Sequence, residues 1–156
     1  YDLLLQDTVP SWLYEVKAGG TSIWERWDAL RPDGTVNLGK DPGSGLVNAV
    51  GGGMVSFNHY ANGAVGDWLY RRVAGLEAIE PGYKKFKVAP LVGGGLTSVS
   101  CFKKLSSGTI KINWNFENGV FVLSINVPFN TSAVITLPDG KSLEVSSGKY
   151  VYSVEM

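Results

Sequence analysis

Glu25 stands between two tryptophans in Thr21-Ser22-Ile23-Trp24-Glu25-Arg26-Trp27-Asp28, the densest polar and aromatic cluster in the chain. That combination suits carbohydrate chemistry. Indole faces stack on the apolar faces of sugar rings, and a carboxylate beside them can activate water or stabilise an oxocarbenium-like transition state. A second reading of the same residues pairs Glu25 with Arg26 or another cation and places Trp24 and Trp27 in the core, where tryptophans are common. Phe57-Asn58-His59-Tyr60 also sets donors among aromatics. At a helix start, His59 and Asn58 can donate to a ligand hydroxyl, although a lone histidine also serves structurally.

Other motifs carry less chemistry. Gly51-Gly52-Gly53 and Gly93-Gly94-Gly95 lack the Lys-Ser/Thr of a phosphate-binding P-loop, so they read as a flexible loop and a strand connector. Lys84, Lys85 and Lys87 form a solvated face. Asn130-Thr131-Ser132 satisfies the glycosylation pattern, a short match that arises by chance. With one histidine and one cysteine, a multi-histidine metal centre, an internal disulfide and a CxxC site are excluded. Cys101 alternates with polar neighbours and reads as a small buried residue. Neither a metal nor a cofactor is expected.

The elements that position these residues fall into two groups. Residues 1–80 hold ten acids and six bases and four of the five tryptophans, whereas residues 81–156 hold four acids and eight bases and alternate polar with apolar. The equal totals, 14 basic and 14 acidic, argue against a phosphate-driven nucleic-acid binder. No apolar run reaches the length of a membrane-spanning helix. In the first module, Phe57, Ala61, Ala64, Val65, Trp68 and Leu76 recur at helical spacing and predict a helix from about Met54 to Leu76. Gly63 and Gly66 within it point to close approach of another helix or a ligand. A shorter helix is expected from Pro10 to Ala18, capped by Thr8 and ended by Gly19-Gly20. Residues 1–7 read as the end of a preceding helix, and Arg31 to Gly53 as loop.

In the second module, Ile110, Ile112, Trp114 and Phe116 alternate with polar residues, as do Phe121, Leu123, Ile125 and Val127. Asn118-Gly119 between the two runs is a strong type I′ hairpin signal. Seven antiparallel strands are expected, at 84–89, 97–104, 109–117, 120–127, 132–137, 142–146 and 149–154, which is the pattern of a β-sandwich.

Taken together, Pro10-Ser11-Trp12-Leu13-Tyr14-Glu15-Val16, the segment 21–28 and Ser56-Phe57-Asn58-His59-Tyr60-Ala61 resemble bacterial α-L-rhamnosidases of glycoside hydrolase family 78. So do Gly66-Asp67-Trp68-Leu69-Tyr70-Arg71, Pro81-Gly82-Tyr83-Lys84, and Ala89-Pro90 followed by Gly93 to Thr97. The resemblance covers essentially the whole chain. It implies a multidomain α+β fragment, with the last helices of an (α/α)6 barrel in residues 1–80 and a C-terminal antiparallel β-sandwich in residues 81–156. It implies an inverting glycosidase whose general base is the glutamate of the Trp-Glu-Arg-Trp motif, here Glu25. His59 matches the histidine that contacts rhamnose, and Trp24, Trp27 and Asn58 are implied as pocket walls. The substrate class is a rhamnose-containing oligosaccharide or glycoside.

Two departures accompany the resemblance. The loop between Trp27 and Phe57 is longer than the family form, with the extra part around Lys40 to Gly53. The family's general acid lies earlier in the barrel, and no equivalent acidic motif precedes Glu25. One carboxylate cannot supply both acid and base. The chain, which opens on Tyr1 with neither a methionine nor a signal segment, is therefore expected to be a C-terminal fragment of a larger enzyme and inactive alone. Its partner would be the preceding part of the same enzyme, and its unpaired barrel faces would dock on the sandwich or self-associate. Bacterial cytoplasm, periplasm and secretion all stay open as compartments. The competing reading is a stand-alone carbohydrate-binding or interaction module built on the sandwich.

Overall fold

The structure, a computed structural model, describes residues 1–38 and 55–156. The extra loop around Lys40 to Gly53, the triglycine 51–53 and Met54 lie outside the described residues. The chain divides into two compact units, Tyr1–Val65 and Gly66–Met156.

In the first unit, α1 spans Asp2–Leu5 and α2 spans Trp12–Lys17. Helix α2 starts two residues later than expected. Its cap is therefore Ser11 rather than Thr8: the buried Ser11 hydroxyl accepts the Tyr14 N–H at 3.0 Å, satisfying one of the orphan donors of the first turn. Gly19, at φ +82°, ends the helix in the left-handed region. The Tyr14 hydroxyl donates to the Leu30 carbonyl at 2.9 Å. Leu30 in turn bridges Val36 across a turn at Asp33-Gly34.

The long helix predicted from Met54 to Leu76 is shorter and composite. Residues 55–60 are not helical. A 3₁₀ turn covers Ala61–Ala64, α3 covers Val65–Trp68, and a π-helical turn covers Leu69–Val73. The physical reason for the late start is that Ser56 and His59 spend backbone hydrogen bonds on residues 23–25, so those groups are not available for i→i−4 bonds. Helical structure stops before Gly75, at φ +82°, and Leu76 enters a strand instead. Among the described residues, nothing approaches Gly63 or Gly66 closely: a Cβ at Gly66 would meet nothing within 4 Å, and one at Gly63 only Ile23 at 3.9 Å.

The second unit carries eight strands. β1 (Leu76–Ala78) is the one that helical spacing hides; β2 (Lys85–Val88), β3 (Ser98–Leu105), β4 (Gly108–Glu117), β5 (Val120–Val127), β6 (Ser132–Thr136), β7 (Ser142–Val145) and β8 (Gly148–Glu155) match the seven expected. They form two four-stranded sheets, ordered β1-β2-β6-β7 and β3-β4-β5-β8. The pairing is antiparallel except between β2 and β6, which run parallel, a departure from the all-antiparallel expectation. Glu117 pairs with Val120, so Asn118-Gly119 is a two-residue loop, with φ +51° and +76° as a type I′ turn requires.

Each sheet buries one face, the pattern of a β-sandwich. Phe86, Val88, Ala133 and Ile135 fill one buried face, and Ile110, Ile112, Trp114, Phe121 and Leu123 the other. The Trp114 indole N–H is satisfied by the Val73 carbonyl at 2.9 Å, which lets the whole ring enter the core without an unmet donor.

Candidate functional site

The two aromatic motifs lie side by side in the first unit. The His59 N–H donates to the Ile23 carbonyl at 2.8 Å, and the Glu25 N–H donates to the Ser56 carbonyl at 2.9 Å. The Ser22 hydroxyl adds a bond to the Phe57 carbonyl at 2.6 Å. Residues 22–25 and 56–59 thus run as two short antiparallel segments. This juxtaposition brings the backbone of Glu25 beside the segment that carries Asn58 and His59, which lie 33 and 34 residues further along the chain.

Glu25 is exposed, and its carboxylate is half-anchored. Oε2 accepts the Ser56 N–H at 2.8 Å, while Oε1 has no hydrogen bond among the described residues. Arg26 is not its partner. The Arg26 guanidinium forks onto Asp28 at 3.0 and 3.1 Å, and Asn37 donates to the same carboxylate at 2.8 Å. The alternative that pairs Glu25 with Arg26 is thereby set aside. A carboxylate with one oxygen fixed and the other open to solvent can accept a proton from a bound water.

His59 is half-buried. Its Nδ1 accepts the Ala61 N–H at 3.3 Å, which leaves Nε2 to carry the ring proton and to donate. The imidazole stacks on Tyr60, with centroids 5.4 Å apart and an interplanar angle of 6°; Tyr60 itself is 90% exposed. Asn58 is exposed, its N–H held by the Ser56 hydroxyl at 3.1 Å.

The tryptophans divide. Trp24 is only 4% exposed and meets Tyr14 and Phe57 edge to face, at 6.4 and 5.1 Å between centroids. Its indole supports the segment from inside. Trp27 is half-buried and packs edge to face on Trp12 at 4.7 Å. Its Nε1 is buried without a hydrogen bond among the described residues.

Three residues that motif reasoning passes over hold this arrangement. Ser56 anchors Glu25 through its backbone. Asn62 donates from Nδ2 to the carbonyls of Trp24 and Glu25, at 3.2 and 3.4 Å, and its own carbonyl accepts the Trp12 indole N–H at 3.1 Å. Glu15, on α2 and 3% exposed, accepts the Trp24 N–H on Oε2 at 3.3 Å. Burial pushes the Glu15 carboxyl up, and the Trp24 N–H offsets part of that. The available signal was a carboxylate on the α2 face that otherwise carries Ser11 and Trp12; Ser56 and Asn62 have no signal in local pattern.

The other acids near Glu25 in sequence are engaged. Asp28 is bound by Arg26 and Asn37, and Asp33 accepts both the N–H and the hydroxyl of Thr35, which hold its carboxyl below the usual range. Among the described residues no group of three or more His, Cys, Asp or Glu is placed to hold a metal ion.

Residues 1–73 match the family described as the bacterial alpha-L-rhamnosidase six-hairpin glycosidase domain, and residues 75–151 the bacterial alpha-L-rhamnosidase C-terminal domain. An alpha-L-rhamnosidase from Streptomyces avermitilis is 38% identical over 138 residues, which cover 88% of this chain and 12% of that protein. One from Formosa agariphila is 35% identical over 152 residues, covering 96% and 15%. The chain thus spans less than a sixth of these relatives. Among solved structures, the S. avermitilis alpha-L-rhamnosidase complexed with L-rhamnose aligns with a TM-score of 0.85 at 34% identity, covering 99% of this chain and 16% of that one. The native Aspergillus terreus enzyme aligns with a TM-score of 0.84 at 38% identity, covering 97% and 16%.

Proposed function

Because this chain belongs to the bacterial α-L-rhamnosidases, we propose that it is the C-terminal portion of an inverting α-L-rhamnosidase and that Glu25 is the general base. The observation that carries this reading is the half-anchored carboxylate: Oε2 is fixed by the Ser56 N–H, Oε1 is open, and no cation neutralises the group among the described residues. In that role Glu25 takes a proton from water as the water oxygen bonds to the anomeric carbon and the glycosidic C–O bond breaks. A carboxylic acid from another part of the enzyme protonates the departing oxygen. Such a pair stands about 6.5–9.5 Å apart in an inverting site.

The remaining motif residues take supporting roles. In this reading the His59 Nε2–H and the Asn58 amide donate to rhamnose hydroxyls. Trp27 walls the pocket, and Trp24, 4% exposed, packs behind it against Tyr14 and Phe57 rather than forming a wall. The substrate is a terminal α-L-rhamnosyl unit of a glycoside or oligosaccharide. The structural partner is the rest of the same enzyme, which supplies the acid and the other pocket walls. The stand-alone binding module has less support, since Trp114, the one tryptophan of residues 81–156, is wholly buried and offers no stacking face.

The experiment is Glu25→Gln in the full-length enzyme, assayed on an aryl α-L-rhamnoside. The amide keeps the shape and the Ser56 bond but cannot accept the proton. kcat should fall about 10²–10⁴-fold with substrate binding retained. A near-normal kcat would return Glu25 to a structural role.

A further inference from the structure

Every backbone polar group of the Trp24–Glu25 dipeptide is held by a residue from a different part of the first unit. The Trp24 N–H is taken by the Glu15 side chain on α2. The Trp24 and Glu25 carbonyls are both taken by the Asn62 side-chain amide. The Glu25 N–H is taken by the Ser56 carbonyl. A segment in a sheet or helix satisfies its backbone through repeating main-chain partners. Here two side chains do that work for a dipeptide that belongs to neither.

The features of these two side chains are hard to explain by stability alone. Glu15 is 3% exposed, and its second oxygen, Oε1, is buried without a hydrogen bond among the described residues. A buried carboxyl with an unmet oxygen is costly, and an apolar residue would fill the position on α2 without that cost. What only an acceptor can do is hold the Trp24 N–H. The approach is close because Gly20 sits between the two: a Cβ there would lie 2.9 Å from the Glu15 carbonyl and 3.0 Å from the Trp24 Nε1. Asn62 is equally specific. It needs donors toward two carbonyls, and its isosteric acid would set a carboxylate oxygen against both.

We propose that Glu15 and Asn62 are positioning residues that clamp the Trp24–Glu25 backbone from its amide and carbonyl sides, and so fix where the Glu25 carboxylate meets the attacking water. This inference rests on the reading of Glu25 as general base. Neither residue touches the reacting atoms. Each acts through the backbone that carries Glu25, where a displacement of about 1 Å can cost ~100-fold in rate.

The test uses the full-length enzyme and an aryl α-L-rhamnoside, with and without sodium azide. Azide attacks the anomeric carbon without giving up a proton. It therefore bypasses a missing or misplaced base and forms the β-L-rhamnosyl azide as the glycosidic bond breaks. Asn62→Asp should lower kcat about 10- to 100-fold with KM little changed, and azide should restore turnover in it and in Glu25→Ala. Glu15→Leu, which removes the acceptor from the other side, should behave alike. If Glu25→Ala loses turnover and is rescued but both clamp variants keep normal kcat, the clamp is wrong and the base assignment stands. If Glu25→Ala keeps its turnover, the base assignment fails and takes the clamp with it. Should Asn62→Asp not fold, Asn62→Ser and Glu15→Leu carry the same reading. Loss of kcat that azide does not restore in either would make these residues structural and overturn the proposal.

Discussion

At the scale of single residues, Glu15 links the site to a measurable property of folding. Burial raises its carboxyl above the usual range, so the folded chain holds that proton more tightly than the unfolded chain does. The contribution is stabilising below the unfolded-state value and is lost as pH rises through the folded-state value. The sign is opposite to that of Asp7 and Asp33, whose carboxyls are lowered by Lys17 and by Thr35. Glu15→Gln removes the titration and keeps an acceptor for the Trp24 N–H. Its thermal midpoint should therefore fall less than that of the parent, or rise more, between about pH 4 and pH 8. Parallel curves for the two proteins would show that Glu15 is solvated in the folded state.

At the scale of elements, the second unit rests on alternation, and its most exacting residue is Trp114. The ring is fully buried, tilts against Phe121 at 5.9 Å between centroids, and spends its one donor on the Val73 carbonyl. Trp114→Ala should cost about 3–5 kcal/mol in denaturant unfolding, from lost burial, the cavity and an unmet carbonyl. A loss under about 1 kcal/mol would mean that β4 tolerates a different register. Period-two alternation located β2 through β8 within one or two residues, because a strand with one buried face displays its environment directly in sequence. β1 escaped for a physical reason. Three residues are too few to show a period, and Leu76 also fits the helical spacing of the residues before it. Only Ala74 and Gly75 separate the two, and a Cβ at Gly75 would lie 2.3 Å from the Pro90 nitrogen.

At the scale of the whole molecule, the first unit carries the proposed base, and the described acids nearest to it in sequence are engaged or buried. Asp28 is locked by Arg26 and Asn37, Asp33 by Thr35, and Glu15 is buried. A glycosidic oxygen departing beside Glu25 finds no available proton among these groups. The 156-residue chain assayed alone on an aryl α-L-rhamnoside should therefore show no turnover above that of its own Glu25→Gln variant. Robust turnover abolished by Glu25→Gln would place a complete site within these residues. Leu3, Val16 and Tyr60 are 52%, 67% and 90% exposed on the first unit.

The sequence by itself carried Glu25 and His59 as candidates, a motif resemblance that implied the family and its chemistry, and seven of eight strands. Each is written locally: a motif is a run of neighbours, and alternation is the trace of one buried face. What tertiary structure alone decided is how the site is held. The helical spacing that predicts a start at Met54 is real, yet residues 55–60 leave the helix because Ser56 and His59 bond across to Glu25 and Ile23. The same crossing separates Arg26 from Glu25, turns Trp24 inward, and puts Asn62, 37 residues away, on the Glu25 carbonyl. Those bonds join segments remote in the chain, and their existence depends on which backbone groups remain unpaired once the helices and turns have formed. No local pattern of residue types encodes that remainder.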